Sequence, residues 1–149
     1  MTKRRDFIQQ VALGTAALTL ASCAASSDDY KHQGPLVIST WNNTGANAAA
    51  MAALTAKKSS LDAVEAGARI PEADPNDQSV GYGGRPDRDG YVTLDACIMN
   101  PAGDCGAVTF LERIKHPISV ARLVMEKTPH VMLSGVGALQ FAKEQGFEE

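Results

Sequence analysis

Residues 79–90 read SVGYGGRPDRDG and hold the residue types of a ligand-binding loop, with four glycines and one proline among twelve positions. A phosphate-binding loop presents successive backbone amides ahead of a helix N-terminus. This segment lacks the Gly-Lys-Ser/Thr ending of a P-loop and leads into a predicted strand. A phosphate cradle is therefore disfavoured, which leaves a metal loop or the wall of another kind of site.

The end of the same segment, residues 87–90 (DRDG), contains part of a calcium-binding pattern. A calcium loop needs oxygen ligands at alternating positions, a central glycine and a closing glutamate. Asp95 is the nearest closing acid, but it is shorter than glutamate and misplaced. A solvated, salt-bridged turn is the favoured interpretation, so neither a metal ion nor another cofactor is predicted.

Two other patterns offer only weak indications of a site. Residues 134–137 (SGVG) follow a predicted strand and open a predicted helix, yet they lack the third glycine and the downstream acid of a dinucleotide fingerprint. His116 and His130 both adjoin prolines at element boundaries. Neither has an acid and a nucleophile nearby, so no catalytic triad is predicted.

Trp41 is the one tryptophan, and it lies in a polar break after a predicted strand. Ligands of α/β proteins often bind at the carboxyl ends of strands, where an indole face can stack on a sugar or an amide. A core tryptophan that caps the sheet is the equally weighted alternative.

Cys97 and Cys105 flank Pro101 symmetrically in a predicted hairpin. The two thiols could face each other across the strands, and an oxidising compartment would permit a disulfide. Buried free thiols are the commoner state of isolated strand cysteines, so both interpretations stay open.

The elements that would position these residues follow from hydrophobic patterning and from turn residues. The predicted order is strand 36–40, helix 46–57, a helix that begins at 59–60 and is ended by Pro71 and Pro75, strands 91–99 and 105–111, a helix from 117, strand 131–133 and helix 138–145. Helices on a sheet that includes a hairpin indicate the α/β or α+β class. An uncovered sheet edge favours part of a larger protein, with a small complete domain as the alternative.

Bulk composition is that of an ordinary globular chain: 149 residues, 44 % hydrophobic, 21 % charged and a net charge of −3. No basic stripe follows the N-terminus, which disfavours a nucleic-acid partner. Three cysteines are too few for a disulfide-stapled mini-fold.

The N-terminus predicts an export signal over residues 1–25, followed by a polar linker at 26–34. Arg4-Arg5 resembles the twin-arginine motif, which directs the export of proteins already folded in the cytoplasm. Cys23 ends a stretch that resembles a bacterial lipobox, so lipidation there would tether the protein to a membrane. Simple cleavage near residues 24–25 is the alternative, and either one predicts an exported bacterial protein, periplasmic or membrane-anchored.

Several segments, taken in order, resemble glycosylasparaginase across essentially all of residues 35–149. These segments are 39–42 (STWN), 61–65 (LDAVE), 79–84 (SVGYGG) with 86–87 (PD), 93–96 (TLDA), 118–122 (ISVAR) and the helix around Phe141. The resemblance implies a hydrolase of the asparaginase 2 family, within the N-terminal-nucleophile hydrolase superfamily. It also implies an αββα sandwich of which residues 35–149 form the α-chain portion, the first half only.

In that family the precursor cleaves itself and frees a threonine at the start of a second, β chain. The threonine is the nucleophile and its own α-amine is the base, which activates an otherwise weak hydroxyl. The reaction hydrolyses the N4-glycosyl amide of asparagine. The family threonine follows His-Asp, and no threonine here does. The resemblance therefore places the nucleophile beyond Glu149 and predicts that this chain alone is inactive.

The resemblance also suggests roles for residues that are present. Trp41 matches the tryptophan that lines the substrate pocket, and Ser79 matches a serine near the nucleophile. Gly81, Gly83 and Gly84 would form a close-fitting wall beside the catalytic threonine, because glycine permits close backbone approach. The family usually has phenylalanine two residues after the tryptophan, where this chain has Asn43.

The implied partners are the protein's own β chain, a small glycosylated asparagine and further α/β units in a homo-oligomer. Two rival functions remain open at this point. An asparaginase or isoaspartyl peptidase of the same superfamily would cleave a smaller β-amide. A non-catalytic exported binding lipoprotein would keep the scaffold without the chemistry.

Overall fold

The computed structural model describes residues 33–149, so the predicted signal and Cys23 lie outside the described residues. The elements fall within the unit Pro35–Glu149. They are helices α1 (Thr44–Thr55) and α2 (Ser60–Ala73), a 3₁₀ turn (Gly81–Gly83), strands β1 (Thr93–Met99) and β2 (Cys105–Glu112), helix α3 (Pro117–Lys127), strand β3 (Met132–Ser134) and helix α4 (Gly135–Glu144). Helices and a three-stranded sheet together give the α+β arrangement that was predicted.

The sheet has the order β1-β2-β3, with an antiparallel hairpin between β1 and β2 and a parallel pairing of β2 with β3. The hairpin confirms the prediction from the turn cluster, in which the Asn100 side chain accepts hydrogen bonds from the backbone amides of Ala102 and Asp104. Cys97 lies opposite Ala107 and Cys105 lies opposite Met99, and both cysteines are free. The thiols are therefore free in this structure, but the expected burial is wrong, because Cys97 is exposed and Cys105 is half-buried.

The core lies between one face of the sheet and helices α3 and α4. It is formed by buried residues of β1, β2, the β2–α3 connection and both helices: Ile98, Val108, Leu111, Ile114, Ile118, Val120, Ala121, Val124, Ala138 and Ala142. Gly106 allows β2 to approach α3, because a Cβ at that position would overlap the Ala121 carbonyl oxygen.

The opposite face of the sheet is uncovered within the described part of the chain. Asp95, Cys97 and Met99 alternate along β1 and are exposed, and Met132 is exposed on β3. This open face carries apolar and sulfur-containing side chains, which is unusual for a surface that faces only water.

The predicted first strand is wrong. Residues 36–40 have no strand partner, and Leu36 and Ile38 are 59 % and 80 % exposed. Only Val37 packs against the small cluster of alanines shared by α1 and α2. β-Branched composition favours extended backbone, but a strand forms only where another strand accepts and donates its hydrogen bonds.

Helices α1 and α2 begin at side-chain caps. Asn43 accepts a hydrogen bond from the backbone amide of Ala46, and Ser59 forms a capping box with Asp62. The prediction that Pro71 and Pro75 end α2 is right only in part, because the helix passes Pro71 and ends at Ala73, two residues before Pro75. Pro71 lies in the last turn, where its missing N–H removes one helical hydrogen bond.

Helix α3 begins at Pro117 as predicted, whereas α4 begins at Gly135, three residues before its predicted start at 138. Pro117 occupies the first turn of α3, where its missing N–H leaves no internal bond unmade. Gly146 follows α4 with a φ of 87°, the left-handed conformation that ends many helices. No helix among residues 33–149 is long and apolar enough to cross a membrane.

Candidate functional site

The glycine segment, residues 79–84, forms a tight bend against the end of helix α2. Val80 is extended, and Gly81 begins the 3₁₀ turn with a φ of 56°. A Cβ at Gly81 would overlap the Cα and carbonyl of Glu72. Both the left-handed backbone and the close approach require glycine at this position.

Gly83 is as crowded as Gly81, because a Cβ there would overlap the carbonyl oxygen of Asp77. Gly84 is less crowded, since a Cβ there would lie 3.0 Å from Val92 Cγ1 and 3.3 Å from Leu94 Cδ2. Close backbone approach therefore explains Gly81 and Gly83. The place of all three glycines beside a catalytic threonine stays a prediction.

Two aspartates after the glycine segment, Asp87 and Asp95, accept hydrogen bonds from groups of the protein itself. Asp87 Oδ1 accepts hydrogen bonds from the amides of Asp89 and Tyr91, at 2.8 and 3.0 Å. Asp95 accepts from the Thr109 hydroxyl and the Phe110 amide, across the hairpin. Among residues 33–149, no group of three His, Cys, Asp or Glu side chains is arranged to hold a metal ion.

A cavity of about 970 Å³ adjoins the glycine segment. Gly81 and two exposed tyrosines, Tyr82 and Tyr91, line it together with Lys115 and Arg113. Lys115 Nζ lies 5.8 Å from the centroid of the Tyr82 ring, within the range of a cation–π interaction. The cavity thus combines flat aromatic faces with the negative charge of Glu112, Glu148 and Glu149 and the positive charge of Lys115 and Arg113.

Glu149 neutralises part of that charge at the cavity wall. Its carboxylate lies 2.7 Å from Arg113 Nη1 and 2.6 Å from Lys143 Nζ. The hydrogen bond from Lys143 lowers the pKa of Glu149, and the charge of Arg113 adds to that effect.

Trp41 lies elsewhere, before helix α1, and its side chain does not line this cavity. Trp41 is 83 % exposed, so within the described chain it is not a core residue. The Ser39 hydroxyl and the Asn43 amide both donate to its carbonyl oxygen, which fixes the backbone beneath the indole. Asn43, which stands where the family usually has phenylalanine, is the N-cap of α1.

Ser79 also lies outside the cavity wall, since its hydroxyl and its amide both donate to Asp77 Oδ1. Hydrogen bonding from Ser79 lowers the pKa of Asp77. Of the predicted site residues, the structure brings Gly81 to the cavity, whereas Trp41, Ser79, Gly83 and Gly84 do not line it.

Sequence reasoning missed a buried pair, Glu72 and His116. Glu72 is only 5 % exposed, its Oε1 accepts the Ile118 amide at 3.0 Å, and its Oε2 lies 3.2 Å from His116 Nδ1. Burial raises the pKa of Glu72 to about 7 and lowers the pKa of His116. The structure therefore places an acid beside His116 that the sequence did not reveal. Helical spacing could have indicated the burial of Glu72, because this residue lies four positions after the partly buried Ala68 and so shares its helix face.

A polar network joins α2 to α3 beside this pair. Arg122 Nη1 lies 2.7 Å from both Asp62 Oδ1 and Glu65 Oε2. The Ser119 hydroxyl donates to Glu65 and accepts from Arg69 Nη1. Because Ser119 is committed to these partners, its hydroxyl makes no triad with His116.

Comparison with known proteins gives a consistent family assignment. The asparaginase family is matched over residues 15–149. The chain is 53 % identical to N(4)-(Beta-N-acetylglucosaminyl)-L-asparaginase of Elizabethkingia miricola, over 98 % of this chain and 45 % of that protein. It is 48 % identical to N(4)-(beta-N-acetylglucosaminyl)-L-asparaginase of Mus musculus, over 76 % of this chain and 33 % of that protein. The chain thus spans less than half the length of these relatives. It belongs to the asparaginase family, in which it is similar to the glycosylasparaginases of the N-terminal-nucleophile hydrolase superfamily.

Proposed function

We propose that residues 35–149 are the first-chain portion of an amidohydrolase that cleaves the N4-glycosyl amide of asparagine. The observation that carries this proposal is the 53 % identity to a named glycosylasparaginase along 98 % of the chain. The tightly packed glycine segment supports it, because a wall built from backbone leaves room for a substrate and a nucleophile.

The proposed chemistry is acyl transfer through a covalent intermediate. A threonine hydroxyl attacks the side-chain carbonyl of asparagine, while the α-amine of the same threonine takes the hydroxyl proton. The α-ammonium group then gives this proton to the amide nitrogen, the carbon–nitrogen bond breaks, and the sugar leaves as the neutral glycosylamine. Water hydrolyses the resulting ester, which releases aspartate and restores the hydroxyl.

The nucleophile of this reaction is proposed to lie in polypeptide beyond Glu149. None of the threonines in this sequence follows His-Asp, the setting that the family resemblance requires. The similar proteins are more than twice as long as the part of them that this chain matches. We infer that the precursor cleaves itself and that the second chain begins with the reactive threonine.

The open face of the sheet supports an αββα sandwich with that second chain. Met99, Cys97 and Met132 expose apolar surface where a second sheet would pack at about 10 Å. Burial of this face would stabilise the assembly through the hydrophobic effect. Further association of α/β units into a homo-oligomer belongs to the same proposal.

Trp41 is the proposed contact for the sugar or the asparagine moiety. Its indole is free to stack, and the helix cap at Asn43 holds the backbone beside it. Gly81, Gly83 and Gly84 are the proposed wall of the active site. Ser79 holds the chain just before this wall in place, because its amide and hydroxyl donate hydrogen bonds to Asp77.

A second candidate is cleavage of a smaller β-amide, as in an asparaginase or isoaspartyl peptidase. The family match, which is to asparaginases in general, favours keeping this candidate. An assay of the full-length protein separates the two. The proposal expects turnover of glycosylated asparagine to exceed turnover of asparagine, and the reverse order would support the second candidate.

Export is proposed on the N-terminal sequence alone. Arg4-Arg5 and Cys23 would direct the protein across the bacterial inner membrane and anchor it. Incorporation of labelled fatty acid at Cys23 tests the anchor, and absence of label would favour a free periplasmic protein.

A further inference from the structure

Glu72 lies where three parts of the chain meet. It belongs to the last turn of α2, its backbone packs against Gly81, and its carboxyl group reaches the start of α3. At 5 % exposure it is one of the most buried carboxyl groups in the described chain. Its interactions therefore link the glycine segment to two helices.

The start of α3 lacks a cap of its own. His116 is the N-cap residue and makes no side-chain capping bond, and Pro117 has no N–H to donate. The Ile118 amide is one of the first-turn donors that no carbonyl within the helix can accept. Glu72 Oε1 accepts this hydrogen bond at 3.0 Å, so a residue of α2 supplies the cap of α3.

The second carboxyl oxygen of Glu72 meets His116 Nδ1 at 3.2 Å. Burial disfavours the charged form of each group, and one proton held between them keeps the carboxyl–imidazole pair neutral. Arg69 and Glu65 of α2 and Lys115 ahead of α3 are the charged side chains whose fields reach the pair. Arg69 lowers and Glu65 raises the pKa of both groups, and Lys115 also lowers the pKa of His116.

We propose that Glu72 and His116 form a proton-dependent clamp that holds the end of helix α2, against which Gly81 packs, to the start of helix α3. The clamp concerns the junction of these two helices, so it goes beyond the proposed reaction and does not require that reaction. Its tests measure structure rather than turnover, which separates its failure from failure of the proposed function.

The two groups respond to pH in opposite directions. Glu72 has a pKa of about 7 in the folded chain and 4.5 when freed, so the clamp opens more readily as pH rises between these values. His116 has a pKa below its ordinary 6.5 in the folded chain, so its part of the clamp opens more readily as pH falls below 6.5.

Hydrogen exchange of the Ile118 amide, which donates to Glu72 Oε1, measures this opening in the intact protein once it is divided by the intrinsic exchange rate at each pH. Between pH 6 and pH 8, Glu72 alone raises the opening equilibrium about tenfold. His116 opposes this rise by at most about fourfold over the same range. Wild type should therefore show a net rise, of between about twofold and tenfold.

Variants show which partner causes the rise of the opening equilibrium between pH 6 and pH 8. We expect Glu72→Gln to abolish this rise and His116→Asn to increase it toward about tenfold. Glu144→Gln and His130→Asn remove matched groups that are exposed, and both should behave as wild type.

Equal pH dependence in Glu72→Gln and wild type would overturn the clamp. If Glu72→Gln does not fold, His116→Asn provides the test. An opening equilibrium that rises more steeply with pH than in wild type supports the clamp, and an identical rise overturns it.

Discussion

Gly81 lies so close to Glu72 that no side chain fits between the two backbones, and the backbone of Gly81 is left-handed as well. The position therefore combines two requirements that only glycine meets. This contact connects the wall of the proposed active site to the buried clamp behind it.

Replacement of Gly81 by alanine should destabilise the protein strongly. The left-handed φ and the overlap with Glu72 together predict a loss of about 2–4 kcal/mol in the free energy of unfolding, measured by chemical denaturation. Gly103→Ala is the matched control, because Gly103 also has a positive φ but has open space around it. We expect about 1 kcal/mol there, and equal losses at both positions would contradict the packing argument.

Trp41→Ala should leave stability nearly unchanged, because the side chain is exposed. If Trp41 stacks on the substrate, the same change raises KM for glycosylated asparagine in the full-length enzyme by about tenfold, and Trp41→Phe restores much of the loss. An unchanged KM in Trp41→Ala would remove this residue from the proposed binding site.

The cap of helix α2 gives a stability prediction that is independent of function. Ser59→Ala removes both the acceptor for the Asp62 amide and a donor to the Asp62 carboxylate, at a cost of about 1 kcal/mol. Ser60→Ala, one residue into the helix, should change stability by less than about 0.5 kcal/mol. Similar losses in the two variants would argue against the capping box.

Asp62 should make the α2–α3 contact sensitive to acid. Hydrogen bonds from Ser59 and then Arg122 lower its pKa from 3.8 to about 2. A lowered pKa contributes stability that is complete above pH 3.8 and is lost as pH falls toward 2. Asp62→Asn should therefore flatten the stability curve in this window, whereas the control Glu144→Gln should not. If the free energy of unfolding depends on pH in the same way in Asp62→Asn and wild type, the Asp62 carboxylate does not contribute to stability in this pH range.

The open sheet face predicts a difference between the isolated chain and the assembled protein. Cys97 is free and exposed in residues 33–149, so an aqueous thiol reagent should modify it readily in the isolated chain. In a sandwich with the second chain, the same thiol should react much more slowly. Equal reaction rates in both forms would contradict burial of this face.

Local signals in the sequence were sufficient for most of the elements. The hairpin turn at 100–104, Pro117 and Gly146 mark boundaries through backbone geometry that they impose themselves. Residues 36–40 show the limit of such signals, since a strand also needs a partner that composition does not reveal. Helix α2 continues past Pro71 because tertiary packing outweighs a single missing hydrogen bond.

The candidate site was only partly visible in the sequence. The glycine pattern indicated close packing, but it did not identify the backbone of Glu72 as the surface that Gly81 meets. Glu72 and His116 are 44 positions apart, so only the fold brings them together. The tyrosines of the cavity were likewise not singled out, because exposed aromatics give no periodic signal.

The central proposal is that this chain shapes an active site whose reactive hydroxyl comes from polypeptide beyond Glu149. Incubation of the full-length protein with an electrophilic asparagine analogue, followed by mass spectrometry of the separated chains, tests this most directly. The account predicts a single covalent label on an N-terminal threonine of the second chain and none on residues 33–149. A label on any residue of this chain would contradict it.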